Sequence, residues 1–170
     1  FVDQNPPNMR KGMYFRDGDY RMSYLQGHYI TMTNMGQNEL KRIIDQRLSP
    51  LYISVHVTDI VLRQKLFLYE KDDGLLEKLK FLTENGIELH TQIVLMPGIN
   101  DDDHLLTTLS DLYAYYPKLK TCTIVPVGLT EHRKGLMEIA TVDKKYAKIL
   151  LKKLSNLRSQ FSGVQSPFVL

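Results

Sequence analysis

Thiols are nearly missing from this chain, and so are long apolar runs and any strong excess of charge. A single cysteine, Cys122, stands among 170 residues, which excludes an internal disulfide and fits a reducing cytoplasm. No apolar stretch approaches the roughly 20 residues a membrane-spanning helix needs, and no signal peptide opens the sequence. The net charge of +3, with a pI near 8.9, is too weak to argue for nucleic acid, whose binders cluster basic side chains on one face. Short-period repeats and low-complexity segments are absent as well. What is present is ordinary for a soluble globular protein: 43% hydrophobic and 24% charged residues. The length suits one domain with a real core. The first residue is Phe rather than Met, so the chain is expected to be part of a longer protein.

The stretch from Asn85 to Asp103, N-G-I-E-L-H-T-Q-I-V-L-M-P-G-I-N-D-D-D, organises the rest. Asn85-Gly86 reads as a helix stop, since glycine takes the left-handed conformation at little cost. Ile87 to Met96 reads as a strand, and Pro97-Gly98 turns it toward a helix opening near Asp101 to Asp103. Ile87, Leu89, Ile93 and Leu95 share one face, and Glu88, His90 and Gln92 share the other. A parallel strand covered by helices on both faces is apolar on both. The polar side of this one is therefore expected to look into a wet or ligand-filled space.

Phe1 to His28 is the least regular part, with loop chemistry at Asp3 to Pro7, a turn at Asp17-Gly18-Asp19 and a possible short strand at Arg21 to Leu25. Tyr29 to Asn34 reads as a strand. Asn38 is a candidate cap for the next helix, whose Leu40, Ile43, Ile44 and Leu48 fall on one face, and Ser49-Pro50 ends it. Leu51 to Thr58 is a strand, and Asp59 starts a helix to about Leu68. A charged loop over Glu70 to Gly74 leads to a helix with Leu75, Leu76, Leu79 and Leu82 inward. After the organising strand comes a helix with Leu105, Leu106, Leu109 and Leu112 inward, stopped by Pro117. Thr121 to Val127 is the fourth strand. A polar loop over Gly128 to Ala140 precedes a long helix over Asp143 to Phe161, bearing Ile149, Leu150, Leu154 and Leu157. Four alternations of strand and helix predict right-handed βαβ units and a parallel α/β sheet.

The half-polar pattern recurs across the strands. Tyr29, Thr31 and Thr33 share a face, as do Tyr52, Ser54, His56 and Thr58, then Glu88, His90 and Gln92, then Thr121 and Thr123. Closed eight-strand barrels fill their interior with bulky branched residues. A sheet curled into a partial barrel, with a polar concave face and helices outside, produces the row seen here. Ligands of such folds sit at the strands' carboxyl ends. That places Thr33-Asn34, His56 to Asp59, Met96 to Asn100 and Pro126 to Thr130 around one mouth. The plain alternative for any one of these residues is a strand former or a hydrogen-bonded core group. A whole polar row in a buried sheet is harder to explain that way, because each group needs a partner.

The segments Phe1-Val2-Asp3-Gln4-Asn5-Pro6, Tyr20-Arg21-Met22-Ser23-Tyr24-Leu25, Ser49-Pro50-Leu51-Tyr52-Ile53-Ser54-Val55-His56, His90 to Asn100 and Val125-Pro126-Val127-Gly128-Leu129-Thr130 carry a resemblance. Over nearly its whole length the chain resembles the radical SAM-like iron–sulfur oxidoreductases often found behind a PDZ domain and ahead of a domain of unknown function. These are distant relatives of the enzymes of molybdenum-cofactor and nitrogenase-cofactor assembly. The resemblance implies a partial (β/α)6 TIM-like barrel of parallel strands with outer helices, its N-terminal part missing. It also implies a four-iron–four-sulfur (4Fe-4S) cluster on which S-adenosylmethionine is bound and cleaved to a 5′-deoxyadenosyl radical.

In such enzymes three cysteines spaced C-x3-C-x2-C hold the cluster, and in this group the last precedes the segment matching Phe1-Val2-Asp3-Gln4. None is present, so the cluster ligands are expected upstream of Phe1 and no metal ligand is assigned in this chain. Cys122, mid-strand, reads as a small buried hydrophobe. Met96 stands where relatives often carry cysteine before Pro-Gly. By position, the resemblance assigns cofactor contacts to Thr33 and Asn34, to Ser54 and His56, and to Arg63 as a candidate for the methionyl carboxylate. It adds Gln92 and Asn100 near the adenosyl group, and Val127, within Pro126 to Leu129, beside adenine. An electron donor and an unknown substrate are the implied partners, and the catalytic residues stay unassigned. Two rivals remain open: a barrel metal hydrolase using His56, His90 and Glu88, and a degenerate barrel serving as a binding or interaction scaffold.

Overall fold

The computed structural model describes residues 2–14, 18–162 and 167–170. Phe1 and Asp17, the start of the expected turn, lie outside the described residues. After two short 3₁₀ turns the elements run α1 (Tyr20–Gln26), α2 (Gln37–Asp45), β1 (Leu51–Ser54), α3 (Ile60–Phe67), α4 (Leu75–Glu84), β2 (Leu89–Leu95), α5 (Asp102–Tyr113), β3 (Leu119–Pro126) and α6 (Lys144–Gln160). The three strands form one parallel sheet in the order β1-β2-β3. A parallel bridge from Ile30 to Ile53 extends it on one side, and one from Val169 to Cys122 on the other.

The core follows from the leucine spacings. Leu40 and Ile43 of α2, Leu75, Leu79 and Leu82 of α4, and Leu105, Leu109 and Leu112 of α5 pack on Leu51, Ile53, Leu89, Ile93 and Leu95 of the sheet. Each helix thus buries one stripe against one sheet face. Two stripe residues fall outside the expectation: Leu106 and Ile149 are exposed. Along β2 the burial alternates, Leu89, Thr91, Ile93 and Leu95 being buried while His90, Gln92 and Val94 are half-open. The polar side faces away from the helices, as its composition requires.

The sheet is curled. The Tyr29 side chain, beside Ile30, lies close to the side chain of Thr123 on β3. In a flat sheet three inter-strand spacings of about 4.8 Å would hold those strands ~14 Å apart, beyond the reach of one phenol. The first segment must therefore bend round to face β3 across the concave side.

Four local expectations are corrected. Residues 29–34 do not form a full strand. Ile30 alone bridges, because the carbonyls of Thr31 and Met32 are taken by Arg63 Nη2 and Lys78 Nζ, and Met32 has φ +60°. Arg21 to Leu25 is helical rather than extended. Asp19 accepts from Arg21 N at the start of α1 and Gly27, at φ +70°, closes it. Gly36 rather than Asn38 precedes α2, its N–H held by Glu39. Thr58 leaves the polar row: it bonds Thr108 and Asp111 of α5.

Candidate ligand-binding site

A cleft of about 590 Å³ opens at the carboxyl ends of the strands. One wall is polar, formed by Thr31, Thr33 and Asn34 after the first segment and by Ser54 and His56 at the end of β1. The apolar part of the lining comes from Leu66, Phe67 and Leu68 at the end of α3 and from Leu136, Met137 and Ile139 in the loop after β3. Asp3, Gln4, Lys65 and Arg133 line the cleft as well.

His56 is set by backbone geometry. Val57 N donates to Val55 O (2.8 Å) across a His56 φ of +61°, a γ-turn of the rarer, strained kind. This turn stops β1 and breaks its alternation, which is why Thr58 points to α5. Strain of this type costs about 1–3 kcal/mol and persists where surroundings over-determine it. Here they do: Val94 N donates to His56 Nδ1 (3.0 Å), Asn100 Nδ2 donates to His56 O (2.9 Å), and Phe67 stacks on the ring at 5.4 Å. Burial, followed by the nearby Arg63 charge, pushes the imidazole pKa down to about 3. His56 is neutral at any physiological pH.

Asn100 is the pin of this corner. Besides His56 O, its Nδ2 reaches Val94 O (3.0 Å) and its Oδ1 accepts from Met96 N (2.7 Å). Its amide is spent on backbone, so it shapes the mouth without lining the cleft. Val127, buried, donates its N–H to Leu95 O (3.0 Å) and prolongs the sheet.

Arg63 departs furthest from its expected role. It is buried, with Nε and Nη2 forked onto Asp73 (2.9 and 2.7 Å), Nη1 donating to Val55 O and Nη2 to Thr31 O (3.1 Å). Its carbon Cζ sits 4.3 Å from the Phe67 ring centre. The guanidinium ties the first segment, β1 and the loop before α4 together, and it does not line the larger cleft. Gln92 lies on the concave face in register with Ser54 and Thr123, below the cleft's lining. Of the eight expected residues the structure thus gathers Thr33, Asn34, Ser54 and His56 on one wall. It gives Arg63, Asn100 and Val127 structural bonds instead.

Other candidates resolve into structure. His90 stacks on Tyr52 at 5.0 Å and bonds Thr121 (2.8 Å), deep on the concave face and away from His56. Cys122 is fully buried, and burial pushes its thiol up to about 12. Among the described residues no group of three or more His, Cys, Asp or Glu side chains is placed to hold a metal ion. His56, His90 and Glu88, the residues of the hydrolase reading, are not such a group.

Sequence reasoning missed the second wall. Gln4 is buried, Arg133 reaches its side-chain oxygen, and Leu136 to Ile139 come from a loop without periodicity. The G-L-T-E-H-R run after β3, compared with D-Q near the start, offered complementary side chains but no spacing to join them.

Fold and cleft define an α/β domain with a curled parallel sheet and a small-molecule-sized site at the strands' carboxyl ends. The chain belongs to the radical SAM-like domain family, whose model matches residues 1–122. Among solved structures it is similar to a domain of pyruvate-formate lyase-activating enzyme from Bacteroides vulgatus ATCC 8482. The TM-score is 0.56 at 15% identity, over 77% of this chain and 78% of that one. At that identity the likeness speaks for the fold. No curated protein sequence matches the chain.

Proposed function

We propose that this chain is the core of a radical SAM-type iron–sulfur enzyme, a partial (β/α)6 barrel that binds S-adenosylmethionine in the cleft and acts on a substrate held beside it. The observation that carries the reading is Ser54. It is the last residue of β1, it lines the cleft, and its hydroxyl has no hydrogen-bond partner among the described residues. A small polar group at that strand end, flanked by Thr33, Asn34 and neutral His56, suits a ribose diol and an adenine edge. The volume is within the roughly 300–1,000 Å³ of small-molecule sites. The curl from Tyr29 to Thr123 supports the partial barrel, and the segments quoted above support the PDZ-associated group.

The cluster fits this chain differently. Thiolates hold such clusters, and Cys122 is a buried thiol on the helix-covered face. The cluster's cysteines would come from outside this chain. When bound, cofactor and cluster supply the radical chemistry. The residues described above orient the ligand and exclude water. The reading carries with it an electron donor, flanking domains and a cytoplasmic setting.

Calorimetry with S-adenosylmethionine tests it. Ser54→Ala removes one hydrogen bond, worth about 0.5–1.5 kcal/mol, so affinity should fall roughly two- to tenfold. Unchanged affinity removes Ser54 from the site. In a second test the chain, extended upstream through three cysteines, is reconstituted anaerobically with iron and sulfide. It should take up one cluster and release 5′-deoxyadenosine on reduction, whereas the 170-residue chain should do neither. An extended chain that binds a cluster yet never cleaves the cofactor points to the scaffold instead.

A further inference from the structure

Gln4 joins the amino-terminal turn to the loop after β3. It is 6% exposed, unusual for a glutamine. Its Nε2 donates to Gly128 O (3.1 Å), its Oε1 accepts from Arg133 Nη1 (2.7 Å), and its backbone carbonyl accepts from Thr130 Oγ1 (2.6 Å). Arg133 in turn donates through Nη2 to Met137 O (2.5 Å). A relay thus runs from the amino-terminal turn, through Gln4 and Arg133, to the loop that supplies Leu136, Met137 and Ile139.

No helix or strand forms between Pro126 and Lys144, and Met137 is 43% exposed. A segment with few buried apolar contacts and no ladder sits at the low-stability end of a fold. A fixed wall there needs a specific tether, and the three bonds at Gln4 are such a tether. We infer that Gln4 is a positioning residue of the cleft: by latching residues 128–133 it holds the apolar lining of Leu136, Met137 and Ile139 in the cleft shared with Ser54 and His56. The inference rests on the proposed cofactor site only for its ligand readout. The latch itself stands on the bonds above.

The test uses the full 170-residue chain with S-adenosylhomocysteine as the probe. Gln4→Ala removes both side-chain bonds and leaves the backbone one. Amide exchange over 128–139 should speed up at least tenfold, with the rest of the sheet unchanged, and affinity for the probe should drop several-fold. Gln4→Glu keeps an acceptor for Arg133 and loses the donor to Gly128, so both effects should be partly rescued. A double-mutant cycle of Gln4→Ala with Arg133→Ala should be non-additive in both readouts, because the two residues share one bond. Unchanged exchange in Gln4→Ala overturns the latch, and so does faster exchange with wild-type affinity. If the wild-type chain and Ser54→Ala alike bind no probe, the exchange data alone decide whether Gln4 orders the loop, and the cofactor reading falls only if the cluster-loaded extended chain also binds none.

Discussion

His56 combines a strained backbone with a buried, neutral ring, and that combination has a pH signature. An unfolded histidine takes up its proton below about pH 6.5, whereas the folded ring resists protonation down to about 3. Between those values the unfolded state holds more protons, so stability rises with pH across the window and is level above it. Acidifying from pH 7 to 4 should remove about 3 kcal/mol through this residue, at about 1.4 kcal/mol per pH unit below 6.5. His56→Asn is the informative variant. Asparagine tolerates positive φ and keeps an acceptor near Nδ1 for Val94 N. Urea unfolding between pH 4 and 6.5 should show a shallower slope for His56→Asn, by close to one proton. An identical slope would mean that the ring titrates freely in the folded protein.

Arg63 offers a contrast at the same scale, since its chemistry was readable and its role was not. An arginine just past a strand end suits a carboxylate ligand, and the carboxylate it meets is Asp73, in the chain's own loop. Removing one partner of a buried pair costs about 3–5 kcal/mol, because the other charge is stranded. Arg63→Leu should therefore lower the unfolding midpoint sharply while leaving ligand affinity per folded molecule near wild type. Lost affinity at unchanged stability would restore the carboxylate-binding role.

At the scale of elements, legibility tracked periodicity. Helices α2, α4 and α5 announced themselves by leucines three and four apart, and β2 by its alternation, since each buries one face on one core. Helix α1 had its signals too, Asp19 before and Gly27 after, but Tyr, Met and Leu at 20–25 also suit a strand. The segment at Ile30 reads as a strand in sequence and is cut short by Arg63 and Lys78, tertiary partners that no local pattern contains. Asn100 shows how such partners reach the site. It was placed at the mouth by position, and it serves by pinning Met96 and Val94 of β2's end to His56. Asn100→Ala should leave Met96 N without its acceptor and two carbonyls without their donor, costing about 2–3 kcal/mol. It should also release the His56 turn. Thermal unfolding, with the His56 ring resonances as a local probe, checks both. A stable variant with unshifted resonances would show that the turn holds itself.

For the whole molecule, the family match ends at residue 122, while the fold and the cleft continue well past it. Residues 123–170 bring Leu154, Phe161, Phe168 and Val169 into the core. They also pair Thr123 to Pro126 with Gln92 to Leu95 of β2 and supply the wall from Arg133 to Ile139. Phe168 packs edge-on against Tyr113 at 5.1 Å, and Leu170 exchanges backbone bonds with Cys122 and Ile124. Four large buried side chains at about 1.5–3 kcal/mol each amount to ~6–12 kcal/mol, as much as the roughly 5–15 kcal/mol that holds a typical domain together. A chain cut after Cys122 should therefore show no cooperative unfolding, and the bared half of β2 should make it aggregate. A chain cut after Ser162 keeps α6 and loses Phe168 and Val169, so it should fold with about 3–6 kcal/mol less stability. Denaturant titration of the two truncations beside the full chain reads this ordering directly. A 1–122 fragment that unfolds cooperatively near the full-length midpoint would mean that the matched region is a domain by itself, and that the second wall of the cleft is an addition to it.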